Sequence, residues 1–370
     1  MQAGFFKADI TPMLPCVLGG YACRSDHARI IASPLSVRAM AVAQDETLWV
    51  LISMDLLGVS ERMVQELRAR LKCACGTDPY LSVIATHTHG APNGLPEELD
   101  DGLWTEERSH VPQEYVERVL CQAVRCAQGA LAALQPVRPR WRVTECDGLY
   151  ANRRNPDLPA DRRVHLLELI ARDGSCAGGL VHLGCHPTVV DPLSYHVTPD
   201  MSGYLTCRLE QQHPDSIFLF ANGAAGDVST RFTRRGTTEE EARRIGGEIC
   251  LALMDARELP TAETLAFREK AASYADRWTG SELQVRYQMV ELAGMRLLFC
   301  PGELYTRYAL EAAGCSRRAL IVGYANGYLG YVPDVASQGE AGYEAEACRL
   351  SGDALVSITR TIMENAEERT

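Results

Sequence analysis

The chain has 370 residues, with 37 Lys and Arg against 48 Asp and Glu, a net charge of −11 and 46% hydrophobic residues. This is the composition of a soluble globular protein, long enough for one large α/β unit or two small ones. An acidic chain without a basic run suits neither nucleic acid nor an anionic membrane surface, and no apolar stretch nears the roughly 20 residues that span a bilayer. The N-terminal residues lack the basic and apolar regions of an export signal, so a cytoplasmic location is expected. There the 14 cysteines would be mostly buried and reduced. No Cys-x-x-Cys pair is present, which argues against a cysteine-based zinc site.

Taken in chain order, short apolar runs alternate with helical patterns. Residues 48–54 end at Asp55, and apolar residues at Met63, Leu67 and Leu71 then predict a helix over 60–72. Residues 81–86 end at His87-Thr88-His89, and a longer helix is predicted over 113–134. The Pro- and Arg-rich stretch 136–163 reads as a long active-site loop. Residues 179–185 end at His186, and 216–221 end in the glycine-rich turn 222–230. A helix over 238–256 opens with an acidic first turn. Residues 295–300 end at Pro301-Gly302-Glu303, and 319–323 at Tyr324-Ala325-Asn326. Ser351 or Asp353 caps a last helix running to about Asn365. Runs this short, bounded by turn residues, predict buried strands and hence an α/β fold of mixed sheets flanked by helices. Nearly all the reactive side chains stand at the carboxyl ends of those strands, where such folds bind ligands. No linker or repeat divides the chain, so residues 1–370 are expected to form a single catalytic domain.

His87 and His89, two apart on a strand, would face the same side and converge on a metal, or they are two hydrogen-bonded histidines of a polar loop. His186 and Glu303 close two further strands. Two histidines and a carboxylate are the ligand count of a catalytic zinc site that leaves a position for water. His182 alternates to the face of His186, as core or as its support. The turn 222–230, with Asp227 and Ser229, offers backbone N–H groups to an oxyanion, a serine nucleophile, or only a tight turn. The tyrosines of 323–333 are packing residues unless a metal lies beside them.

These pieces resemble, in order along nearly the whole chain, the catalytic domain of the neutral/alkaline (non-lysosomal) ceramidases. The motifs that carry the resemblance are Ala8-Asp9-Ile10-Thr11-Pro12, Gly19-Gly20-Tyr21-Ala22, Ala85-Thr86-His87-Thr88-His89, Asn152-Arg153-Arg154, Cys185-His186-Pro187-Thr188, Asp200 with Gly203-Tyr204, Gly226-Asp227-Val228-Ser229, Pro301-Gly302-Glu303, residues 326–333, and Tyr343-Glu344. The resemblance implies one zinc ion held by His87, His186, Glu303 and Tyr331. It implies His89 as a supporting or proton-handling group, Arg153 and Tyr343 facing the scissile amide, and Ser229 lining the site. It implies hydrolysis of the amide bond of an N-acyl amine, ceramide or a smaller compound, by metal-activated water. The family's β-sandwich domain is not expected here, and Ser229 is followed by Thr230-Arg231 where the family has Pro-Asn. That departure falls at the substrate pocket. Two other readings stand beside this one: a serine amidase or acyltransferase using Ser229, and a non-catalytic lipid- or amide-binding relative.

Overall fold

The computed structural model describes residues 1–76, 78–94, 111–340 and 342–367. Its larger sheet is built from β1 (Gln2–Asp9), β2 (Ser36–Gln44), β3 (Thr47–Met54), β4 (Tyr80–Ala85), β5 (Gln135–Glu145), β6 (Arg163–Ala171), β7 (Cys176–Leu183) and β8 (Ile217–Asn222), in the order β8-β7-β6-β5-β1-β2-β3-β4. The short strand Arg257–Leu259 lies along β5. Pairs β3–β4 and β7–β8 are parallel and the other pairs of this order are antiparallel. A second sheet runs β9 (Leu265–Ala275), β10 (Glu282–Leu292), β11 (Met295–Phe299), β12 (Ala319–Val322).

The apolar runs are continuous because both of their faces are covered. In β3, Val50, Ile52 and Met54 pack under helices α1 (Glu61–Cys75) and α2 (Gln113–Ala132). Trp49 and Leu51 point the other way, into the second sheet, where the Trp49 ring meets Phe299 edge-on at 6.0 Å. In β11, Leu297 and Phe299 face the large sheet, whereas Leu298 faces α5 (Thr306–Cys315) and α6 (Gly352–Ala366). Helices α3 (Asp200–Gln212) and α4 (Glu239–Met254) cover the β7–β8 end of the large sheet. The result is four layers: helix, sheet, sheet, helix. Trp49 is fully buried between the sheets, and its truncation to Ala would cost roughly 3–5 kcal/mol.

The predicted strands and helices are present. Ser60, Thr238 and Ser351 cap their helices by accepting from the backbone N–H three residues on, so Ser351 rather than Asp353 starts the last one. Among the described residues no helix is long and apolar enough to cross a membrane.

Two expectations need correction. Residues 136–163 are not one loop, because Gln135–Glu145 is a strand paired with β6 from Val137 to Glu145. Pro139 is tolerated there: on its other side β1 pairs only as far as Pro136 and Arg257–Leu259 begins pairing at Trp141, so its missing N–H falls in the gap. The loop proper is shorter and carries Asn152 and Arg153. The cysteines are all free, as expected, but only Cys126, Cys146, Cys185, Cys250, Cys300 and Cys348 are buried. Cys23, Cys73, Cys121, Cys207 and Cys315 are exposed.

Candidate metal centre

Four chain segments, each leaving a strand, bring their side chains together. Strand β4 ends at Ala85, and His87 sits beyond it in a left-handed turn with φ of 65°. His87 and His89 therefore meet through that turn and not by strand alternation; their Nε2 atoms lie 3.3 Å apart. His87 Nδ1 faces the Leu57 carbonyl at 2.7 Å, and His186 Nδ1 faces the Ala225 carbonyl at 2.6 Å. With each Nδ1 donating its proton to a carbonyl, each Nε2 lone pair is left pointing at the centre. Glu303 Oε2 stands 3.3 Å from His87 Nε2 and 2.9 Å from His186 Nε2. The ligand atoms of His87, His89 and His186 all lie within 4.8 Å of one another.

Glu303 and Tyr331 are neighbours in a two-strand parallel ladder, Glu303–Leu304 against Tyr331–Val332. Arg153 donates from Nη2 to the Tyr331 hydroxyl at 2.9 Å and from Nε to Glu344 at 2.8 Å. The half-exposed Tyr343 ring meets Tyr331 at 5.6 Å. A cavity of about 40 Å³ joins His87, His89, Glu303, Tyr328, Tyr331 and Tyr343.

Two tyrosines that spacing did not single out complete the carboxylate's surroundings. Tyr328 donates its hydroxyl to Glu303 Oε1. Tyr324 stacks on His87 at 4.1 Å and reaches Glu303 Oε2 at 3.5 Å. Both stand in the tyrosine-dense stretch, yet nothing in that stretch says which hydroxyl turns inward. His89 is held by the Gly-Gly-Tyr-Ala motif and the residues just after it: Tyr21 packs edge-on at 4.5 Å, and Arg24 donates to the His89 carbonyl at 2.5 Å. A Cβ at Gly20 would lie 2.3 Å from His89 Nδ1, so only glycine lets the ring sit there.

Burial governs the electrostatics. It pushes the Glu303 carboxyl upward, but the charges and hydrogen bonds of His87 and His186 outweigh it and hold the group well below the usual carboxylate range. Burial, with Arg153 next, takes His186 down to about 4, and burial with His87 and His186 lowers His89 well below 6.5. These two imidazoles are thus neutral near pH 7, as metal ligation or proton acceptance requires. Burial works against the charge of Arg153, yet Tyr331, Glu344 and Glu303 push its pKa up, so it stays cationic.

Other sequence-predicted residues have partners of their own. Ser229 Oγ accepts from the Arg231 N–H at 3.2 Å, and only its backbone bridges to His186. In the turn 222–230 Gly223 donates to the Leu183 carbonyl, Gly226 to Leu304 and Val228 to Ala225. The turn packs closely on Glu303: a Cβ at Gly226 would lie 2.3 Å from the Glu303 carbonyl oxygen. Asp227, pushed up to about 6 by burial, binds Asn152 and the Thr306 N–H. His182 reaches the Ile321 carbonyl at 2.7 Å and ties the two sheets together, away from the centre. Glu168, Cys176 and His213 also converge, but Arg140 and Arg142 already occupy the carboxylate.

Among solved structures, the chain superposes on the neutral ceramidase from Pseudomonas aeruginosa with a TM-score of 0.84 at 19% identity, covering 99% of this chain and 74% of that one. It superposes on a ceramidase complexed with C2 with a TM-score of 0.83 at 18% identity, again covering 99% and 74%. No protein-family model and no curated protein matches the chain. With its strand ends gathered around three histidines and a glutamate, this chain has the neutral ceramidase fold.

Proposed function

We propose that this chain, taken over 1–370 as one catalytic domain, is a zinc-dependent hydrolase of the amide bond of an N-acyl amine, ceramide or a smaller compound. The observation that carries the reading is the meeting of His87 Nε2 and His186 Nε2 at one carboxylate oxygen of Glu303, in the fold of the solved ceramidases. The donor set suits a divalent cation: imidazoles with their Nδ1 atoms engaged, a carboxylate and a phenol oxygen. His186 Nε2 and Glu303 Oε2 face each other at 2.9 Å, both buried, two donor atoms turned to one point. In this reading His87, His186, Glu303 and Tyr331 would hold one ion. When bound, zinc supplies a Lewis acid for the carbonyl and water acidic enough to attack near neutral pH.

The chain's own residues do the rest. Arg153, cationic and bonded to Tyr331, places positive charge where the amide oxygen becomes negative, and Tyr343 bounds the same face. His89, buried and neutral, accepts the proton released from water and returns it to the amine nitrogen. The C–N bond breaks as oxygen joins the acyl carbon, leaving a carboxylic acid and an amine.

The test is metal content of the purified protein by elemental mass spectrometry, followed by a panel of N-acyl amines with and without chelator. Near-stoichiometric zinc and hydrolysis lost on chelation are expected. Undiminished turnover by metal-free protein would overturn the reading.

A further inference from the structure

A cleft of about 880 Å³ shares no lining residue with the histidine centre. It opens between the end of β5, the start of β6, the carboxyl end of α5 and the stretch 257–260. Its five arginines stand against three acids, so the lining is two charges positive on a chain whose net charge is −11.

Two of those arginines are already engaged, Arg162 with Asp147 at 2.8 Å and Arg163 with Asp161 at 2.7 and 2.6 Å. The third acid, Glu145, acts electrostatically on Arg163. Arg257, Arg317 and Arg318 are exposed, and their guanidinium groups have no hydrogen bond or ion pair among the described residues. His165, only 2% exposed, also lines the cleft, and its Nδ1 is buried without a partner. Met295, Leu259 and Leu310 add an apolar wall.

We propose that this cleft is a binding site for a phosphate monoester with an apolar body. Planar guanidinium forks match phosphate oxygens in pairs, and a monoester carries about −1.5 to −2 charges at neutral pH. A monocarboxylate would leave more than one of the three free guanidinium groups unanswered. The buried His165 nitrogen offers a further polar contact, and the apolar wall takes the carbon body. The volume falls within the roughly 300–1,000 Å³ of small-molecule sites.

The experiment is calorimetric titration of the full chain with phenyl phosphate, inorganic phosphate and phenylacetate. Phenyl phosphate is expected to bind saturably at one site and more tightly than either of the others. The Arg317→Gln/Arg318→Gln double variant should weaken it roughly tenfold or more, and Arg257→Gln should weaken it independently, with melting temperature and amide hydrolysis unchanged. If Arg317 and Arg318 only complement the carboxyl-end dipole of α5, no saturable binding is seen and the proposal fails. It fails equally if the double variant binds phenyl phosphate as well as the parent, which would place the ligand at the histidine centre, or if phenylacetate binds as tightly.

Discussion

Tyr328 donates its hydroxyl to Oε1 of Glu303, leaving Oε2 to face the Nε2 atoms of His87 and His186. The two oxygens of one buried carboxylate thus have separate tasks, one anchored by a phenol and one presented to the imidazoles. An outer hydrogen bond of this kind orients a ligand before the metal arrives.

Removing that anchor is expected to weaken metal binding without abolishing it. Tyr328→Phe keeps the ring and should lower zinc affinity by roughly 10–100-fold, measured by competition with a chromophoric chelator. Unchanged affinity would mean that the Tyr328 hydroxyl does not set the carboxylate's orientation.

His89 separates two ligand sets, because its ligand atom lies within 4.8 Å of those of both His87 and His186. His87→Ala and Glu303→Ala are expected to lose both metal and turnover. His89→Ala should retain the metal while turnover falls roughly 10²–10⁴-fold, the usual range for a lost general acid or base. Loss of metal in His89→Ala would instead make the site a three-histidine one.

Ser229 bears on the covalent alternative. Its hydroxyl is turned to the Arg231 N–H, with no histidine side chain bonded to it among the described residues. Ser229→Ala is therefore expected to keep turnover of the same order as the parent. An acyl adduct found on Ser229 by peptide mass spectrometry would reverse that expectation.

Asp200 supplies a pH test on a residue outside the proposed ligand set. It is fully buried and accepts from the Val189, Val190 and Met201 N–H groups, and burial, opposed by those bonds, takes it from 3.8 up to about 6. The folded chain thus keeps a proton that the unfolded chain releases near 3.8. The stability this contributes is complete below that pH and is lost as pH rises through about 6. Asp200→Asn lacks the effect, so its stability relative to the parent should improve by about 2–3 kcal/mol between pH 4 and pH 7 in urea unfolding. A pH-independent difference would show that the carboxyl does not titrate in that window.

Much of the fold was legible because its signals are local. The runs ending at Asp55, His87, His186 and Glu303 are apolar on both faces, and the helix starts carry Ser60, Thr238 and Ser351 as caps. The hairpin of β9 and β10 was not legible, because β9 is mostly exposed and its polar residues blur any period of two. Strand β5 was hidden by its prolines, which are harmless only because of a gap in pairing made by residues far away in sequence.

What the sequence alone determined is the chemical inventory and its place: histidines and a glutamate at strand ends, where apolar runs give way to turn residues. Which atoms converge was decided by the tertiary structure. The Leu57 and Ala225 carbonyls turn the His87 and His186 rings, and a left-handed His87 brings His89 back toward them. Spacing likewise could not say that Tyr328 would bind Glu303 while Tyr331 takes Arg153. Leu57 meets His87 and Ala225 meets His186 across the ends of paired strands of the large sheet, whereas Glu303 reaches the histidines because the second sheet stacks on the first.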